Sequence, residues 1–192
     1  MTDVTSFTVI YDACVLFPFH LRDILVRLAL RDLYRARWTE RIQDEMQRAI
    51  LSKRPDISAD KMALTRTLMN AHVRDCLVTG YETFEHSITL PDPDDRHVLA
   101  AAMRCHAQVI LTYNLKDFPA DVLAPLGIEA QHPDDFLEHL LNLHQAVVLD
   151  VFRERRAALV NPAFSVERLL ESFSKMSLPK TVAILHEFAT FL

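Results

Sequence analysis

Glycine is almost absent: Gly80 and Gly127 are the only two in 192 residues, and neither stands in a G-x-G-x-x-G or G-K-S/T loop. Loops that cradle phosphates need glycine for positive φ and close backbone approach, so dinucleotide and P-loop nucleotide sites are not indicated. Cysteine is scarce too. Cys14, Cys76 and Cys105 are odd in number, widely spaced and free of any C-x-x-C pair, which argues against a disulfide framework and a thiolate zinc site. The nine histidines never form H-E-x-x-H. No uninterrupted apolar run approaches the roughly 20 residues of a membrane-spanning helix. The opening "MTDVTSF" carries an acid and lacks the basic and apolar regions of a signal peptide, so a cytoplasmic protein without a membrane partner is expected. Positive charge is also in deficit. A net charge of -5 argues against holding nucleic acid by bulk charge, and an anionic substrate would need a local positive element such as a bound metal.

Half of the residues are hydrophobic, and the chain is long enough to bury a sizeable core. Their pattern alternates between strand and helix. Phe7 to Tyr11 and Gln108 to Thr112 ("QVILT") read as strands buried on both faces, with shorter ones at Arg35 to Trp38 and Ile128 to Ala130. Between them run the stripes Leu21, Ile24, Leu25, Leu28; Ile42, Met46, Ala49, Ile50; Met62, Leu68, Met69, Leu77 after Ser58; and Val98, Leu99, Ala102, Met103 after "PDPDD". This predicts an α/β fold with a largely parallel sheet flanked by helices. Beyond about residue 130 only helical patterns remain. One begins at "HPDDF", and "NPAF" and "SLP" punctuate two more, near Val166 to Met176 and Pro179 to Phe191. The division expected is a domain over 1–135 and an all-helical C-terminal extension over 136–192.

In open α/β sheets the carboxyl ends of the strands line the ligand crevice. Asp12 follows the first strand, and Asn114 and Asp117 follow "QVILT", so all three are predicted at that edge. Helical phase adds two acids. Glu45 lies on the flank of the Ile42 stripe while Asp44 points to the opposite side, and Asp95 precedes Val98 and Leu99 by three and four positions on a helix capped by Asp92 and opened by Pro93. Each acid alone has a plain reading: Asp92 a cap, Asp95 a complement to the helix dipole, Glu45 an edge charge, Asp12 the start of a turn, Asp117 a loop acid. Several carboxylates in one crevice, however, repel one another and lose hydration unless a cation balances them. All-oxygen ligation without Cys or His points to Mg2+ or Mn2+, whose usual task is phosphoryl-ester chemistry.

"VIYDACVLF", "ERIQDEMQRAI", "DPDDRHVLAAA" and "QVILTYNLKDFP", four motifs in order over about residues 6 to 135, resemble the PIN domain. The whole arrangement resembles VapC-type toxin ribonucleases of bacterial toxin–antitoxin pairs, in a subgroup with a helical extension. The resemblance implies a PIN-like parallel sheet, an acidic triad at Asp12, Glu45 and Asp95, a variable fourth position at Asp117 or Asn114, and a hydroxyl at Thr112 that supports the first acid. Cys14 stands where the family usually has a small polar residue, and Asn114 where many members have Asp. It further implies an endoribonuclease using Mg2+ or Mn2+, an RNA substrate, a cognate antitoxin protein as partner, and room for a homodimer. Arg27, Arg31 and Arg35 form an i, i+4, i+8 row, and Arg96 and Lys116 lie beside the acids as candidates for gripping phosphate. Two other classes compete with this one. A catalytically silent PIN-like module for RNA or protein binding would not need the acids intact, and an aspartyl phosphatase would need a second Asp where Cys14 stands.

Overall fold

A computed structural model of the chain describes residues 7–159 and 164–192. The reading of the first six residues as lacking a signal segment, and that of Asn161 to Ala163 in "NPAF", lie outside the described residues.

Four parallel strands form one sheet in the order β2-β1-β3-β4. They are β1 (Thr8–Tyr11), β2 (Arg35–Arg37), β3 (Val109–Leu111) and β4 (Glu129–Gln131), each within a residue or two of its sequence expectation. The helices are α1 (Ala13–Leu16), α2 (Phe19–Leu30), α3 (Glu40–Lys53), α4 (Ala59–His72), α5 (Glu82–Glu85), α6 (Arg96–Arg104), α7 (Ala120–Leu123), α8 (Pro133–Ala157), α9 (Val166–Ser174) and α10 (Pro179–Glu187). Because the strand order reverses between β1 and β3, the crevice expected of such a sheet opens beyond Tyr11 and Leu111, which pair in register. Asp12 and Thr112 are the next residues on the two strands.

Val9, Ile10, Ile110 and Leu111 are buried, as a parallel sheet covered on both faces requires. Tyr11 stacks on Trp38 at 5.9 Å between ring centroids, and its hydroxyl lies 2.8 Å from that of Tyr34, so the polar tips of two buried rings satisfy each other. Thr39 starts α3 by accepting a 3.1 Å hydrogen bond from the backbone N–H of Ile42. That cap sets the phase in which Ile42, Met46 and Ile50 face the core.

Four expectations about helices need correction. The Arg27, Arg31, Arg35 row does not exist, because α2 stops at Leu30, Asp32 takes a positive φ of 56°, and Arg35 belongs to β2. Arg27 pairs with Asp23 instead, and Arg31 with Asp150 and Glu154. Leu77 is not on α4, which ends at His72, and Ala49 is exposed while Gln43 takes its place in the buried stripe of α3. Asp95 closes a 3-10 turn, Pro93–Asp95, and α6 begins only at Arg96.

The extension packs on the chain's own core. α8 has non-helical dihedrals at His144 and buries Phe136, Leu137, Leu140, Leu141, Val148, Val151 and Phe152. Arg155, itself buried, forms an ion pair with Asp23 of α2 at 2.7 Å, and Phe152 meets Phe173 of α9 edge-on at 5.1 Å. Asp134 ties the last helix down: its carboxylate accepts from the backbone N–H groups of Lys180 (2.9 Å) and Thr181 (2.8 Å) and from the Thr181 hydroxyl (2.8 Å). No helix among the described residues is long and apolar enough to cross a membrane.

Candidate functional site

Asp12 occupies the position before α1 in an extended conformation, yet its side chain makes no capping bond. The carboxylate turns instead toward β3. Its Oδ2 accepts a 2.6 Å hydrogen bond from Thr112 Oγ1 and a 2.9 Å one from Cys14 Sγ. The Thr112 hydroxyl accepts from the backbone N–H of Asn114 at 3.0 Å, which fixes its own proton on Asp12. Cys14 is oriented in the same way, since its sulfur accepts from the Tyr113 N–H at 3.2 Å. The thiol at the position where the family usually has a small polar residue thus still supplies a donor to the first acid. Burial, the Asp12 charge and the bond to it push the Cys14 thiol far above its ordinary range, so it stays protonated and donating.

Asp95 is half-buried near Asp12. Burial first, then the negative charges of Asp12, Asp92 and Asp117, push its carboxyl up to about 7, with His97 opposing. These four aspartates therefore share one electrostatic neighbourhood at the strand ends. Asp92 is exposed and spends its Oδ1 on the backbone N–H of Asp94 at 2.9 Å, which is the cap expected of it. Asp117 closes a 3-10 turn, Leu115–Asp117, held by its own N–H on the Asn114 carbonyl at 3.0 Å. The Asn114 side chain is exposed, and its hydrogen bonds in this turn come from its backbone.

Glu45 leans inward and Asp44 outward, with side chains 27% and 55% exposed. Glu45 is not the unpaired acid expected. His97 Nε2 lies 3.1 Å from its Oε1 and Arg41 Nε lies 3.5 Å from the same oxygen. Burial would raise this carboxyl, but His97, Arg41 and Arg48 together hold it below the usual carboxylate range. Arg41 also reaches Glu85 of α5 at 3.2 Å and the Asp94 carbonyl at 3.5 Å. Neither His97 nor Arg41 was singled out from the sequence. The signal for His97 was its place two residues beyond Asp95 inside a buried apolar run, where an imidazole needs a partner.

Among the described residues no group of three or more His, Cys, Asp and Glu side chains is spaced to hold a metal ion as it stands. The chemistry of the donors still suits one. The crevice offers carboxylate oxygens and no thiolate, and the raised Asp95 shows negative charge that the chain's own cations leave unbalanced. Hard, oxygen-preferring Mg2+ or Mn2+ matches that donor set. Arg96 and Lys116 flank the acids, Arg96 with a buried Nε that has no partner among the described residues and Lys116 exposed.

Comparison with known proteins bears on the family and the fold. The chain is 46% identical over 81 residues to a Mycobacterium tuberculosis protein named "Putative ribonuclease VapC50", an alignment covering 42% of this chain and 48% of that one. The matched stretch thus spans about half the length of that curated relative. No solved structure matches significantly. The VapC50 C-terminal domain profile matches residues 133–187, the region of α8 to α10. The PIN domain profile matches residues 8–116, from β1 through the turn that leads to Asp117 and more than half of the chain; with the parallel sheet and the acids at its carboxyl edge, this places the chain in the PIN-domain family.

Proposed function

We propose that the protein is a metal-dependent endoribonuclease, the toxin of a type II toxin–antitoxin pair. The observation that carries this reading is the gathering of Asp95 with Asp12, Asp92 and Asp117 at the strand ends, where burial first and then their negative charges push its carboxyl up to about 7. A cluster that repels itself in this way lowers stability unless it has a cationic ligand to receive. Asp12, Glu45, Asp95 and Asp117 would hold Mg2+ or Mn2+, which when bound supplies an activated water and neutralises charge on the phosphate. Thr112 and Cys14 orient Asp12 for this task, and Asn114 shapes the turn that carries Asp117. Arg96 and Lys116 are the nearest candidates for gripping the phosphates on either side of the scissile bond. The ribonuclease name of the M. tuberculosis relative and the VapC50-type extension support RNA as substrate and an antitoxin protein as partner.

Total bacterial RNA, which includes the targets without their having to be known, is the substrate for the test. Incubated with the purified chain and Mg2+ or Mn2+, it should give discrete new 5′ ends that disappear when chelator is added. RNA left intact by a protein that has taken up the metal, or cleavage that persists in chelator, would remove this function.

A further inference from the structure

Asp12 and Glu45 lie on different elements, yet each is contacted through one oxygen, Asp12 by hydrogen bonds and Glu45 by ion-pair contacts. Both donors to Asp12, Thr112 Oγ1 and Cys14 Sγ, go to Oδ2. Both partners of Glu45, His97 Nε2 and Arg41 Nε, go to Oε1. Among the described residues neither Asp12 Oδ1 nor Glu45 Oε2 accepts a hydrogen bond.

His97 is the less expected of these holders. Its side chain is 1% exposed, and Nδ1 has no partner among the described residues. Facing a carboxylate at 3.1 Å, Nε2 must carry its proton to make a bond at all, which leaves Nδ1 unsatisfied in the interior. A buried polar atom without a partner is costly, and a leucine or phenylalanine would fill the space without that cost. The imidazole therefore makes sense here for what Nε2 does to Glu45. A carboxylate on a flexible two-carbon stem would otherwise sample several rotamers, and fixing one oxygen sets the direction of the other.

We propose that His97 and Cys14 are positioning residues that each occupy one oxygen of a carboxylate, Glu45 and Asp12 respectively, so that the other oxygen is presented to the divalent ion in a fixed direction. The proposal rests on the reading of this crevice as a metal centre. Neither residue touches substrate or metal. Cys14, next to the β1 edge, does with a thiol what Thr112 does with a hydroxyl. His97 gives Glu45 a rigid ring donor that no change of rotamer on α3 can replace.

The test measures Mn2+ affinity of the full chain without RNA, by the electron paramagnetic resonance signal of free Mn2+, alongside the metal-free melting temperature. Wild type should bind and Glu45→Gln should not. His97→Leu should weaken Mn2+ binding by roughly 10–100-fold, the usual cost of losing an outer partner of a ligand. His97→Gln, whose amide nitrogen reaches about where Nε2 lies, should recover most of that affinity. Without metal, His97→Leu should melt no lower than His97→Gln, since leucine leaves no buried polar atom unsatisfied, so weaker Mn2+ binding by the leucine variant would not come from lost packing. Cys14→Ala against Cys14→Ser repeats the comparison at a partly exposed position, and it decides the matter if His97→Leu does not fold. Wild-type protein that takes up no Mn2+ would defeat the metal reading itself. Wild type that binds, Glu45→Gln that does not, and His97→Leu or Cys14→Ala that binds like wild type would defeat the positioning proposal alone.

Discussion

Thr112 Oγ1 sits 2.6 Å from Asp12 Oδ2, tying together the ends of two neighbouring parallel strands that are 100 residues apart in sequence. The bond exists because Tyr11 and Leu111 are in register, so the residues that follow them meet at the point where the strand order reverses. Both residues are buried, and the acceptor is a carboxylate, which makes this the strongest class of side-chain hydrogen bond. Thr112→Val should lower stability by about 1.5–3 kcal/mol, the range for hydrogen bonds to charged groups, while Thr112→Ser retains most of it. Urea denaturation measures both, and a valine variant as stable as wild type would show that the bond contributes nothing.

Metal should stabilise the fold. Because the folded crevice gathers carboxylates that the unfolded chain keeps apart, Mg2+ or Mn2+ at about 100 times its Kd should add roughly 2.7 kcal/mol. The melting temperature should rise on adding the ion and fall back with chelator. A melting curve indifferent to metal would contradict the site.

Asp134 holds the last helix through three donors in a setting only 4% exposed to solvent. Asp134→Ala leaves the Lys180 and Thr181 N–H groups and the Thr181 hydroxyl without their acceptor, at a cost of about 3 kcal/mol. The melting temperature should fall by several degrees, and limited proteolysis should cut between α8 and α10 before it cuts the sheet. Truncation after residue 135 goes further, uncovering the apolar face that α8 shields, and should cause aggregation.

The same interface should weaken in acid. His20 of α2 stacks on Phe164 at 5.3 Å and lies 3.3 Å from Arg155. Burial, then the Arg155 charge, lower its pKa below the ordinary 6.5, with Asp23 opposing. A base whose folded pKa is depressed supports the fold fully above its unfolded pKa and loses that support as pH falls through the folded one. Between pH 7 and 5 Asp95 gains stability as it takes up its proton, so the His20 effect is read as a difference: wild type should lose melting temperature relative to His20→Gln as pH falls through this range. An identical profile for both proteins would remove His20 as the cause.

Much of the arrangement could be read from residue types and spacing. The strands are legible because runs such as "QVILT" are continuous and apolar, and the inward lean of Glu45 follows from its distance to Ile42 with Thr39 as the cap. What spacing could not show is contact between distant parts of the chain. Glu45 looked like a free acid because His97 lies 52 positions away, and nothing local marks their 3.1 Å approach. The arginine row failed for the opposite reason: a period of four continued through residues 31 to 35, but a left-handed Asp32 ended the helix there. Asp95 was placed on an α-helix although Pro93 opens a tighter 3-10 turn first, and the inward direction survived because Arg96 continues directly into α6.

Adjacent acids give the most direct test of the whole account, since Asp44→Asn and Glu45→Gln each remove one charge with little change in volume while their side chains point about 100° apart. Asp44 is exposed and paired with Arg66, so its loss should cost no more than about 1 kcal/mol of stability. Asp94 is likewise exposed, and only Asp95 is crowded by Asp12, Asp92 and Asp117. The measurement is the cleavage rate of one RNA at saturating Mn2+, with folding checked by circular dichroism. Glu45→Gln and Asp95→Asn should abolish cleavage while Asp44→Asn and Asp94→Asn leave it nearly intact. Equal losses within either pair would mean that general acidity, not this site, supports the reaction.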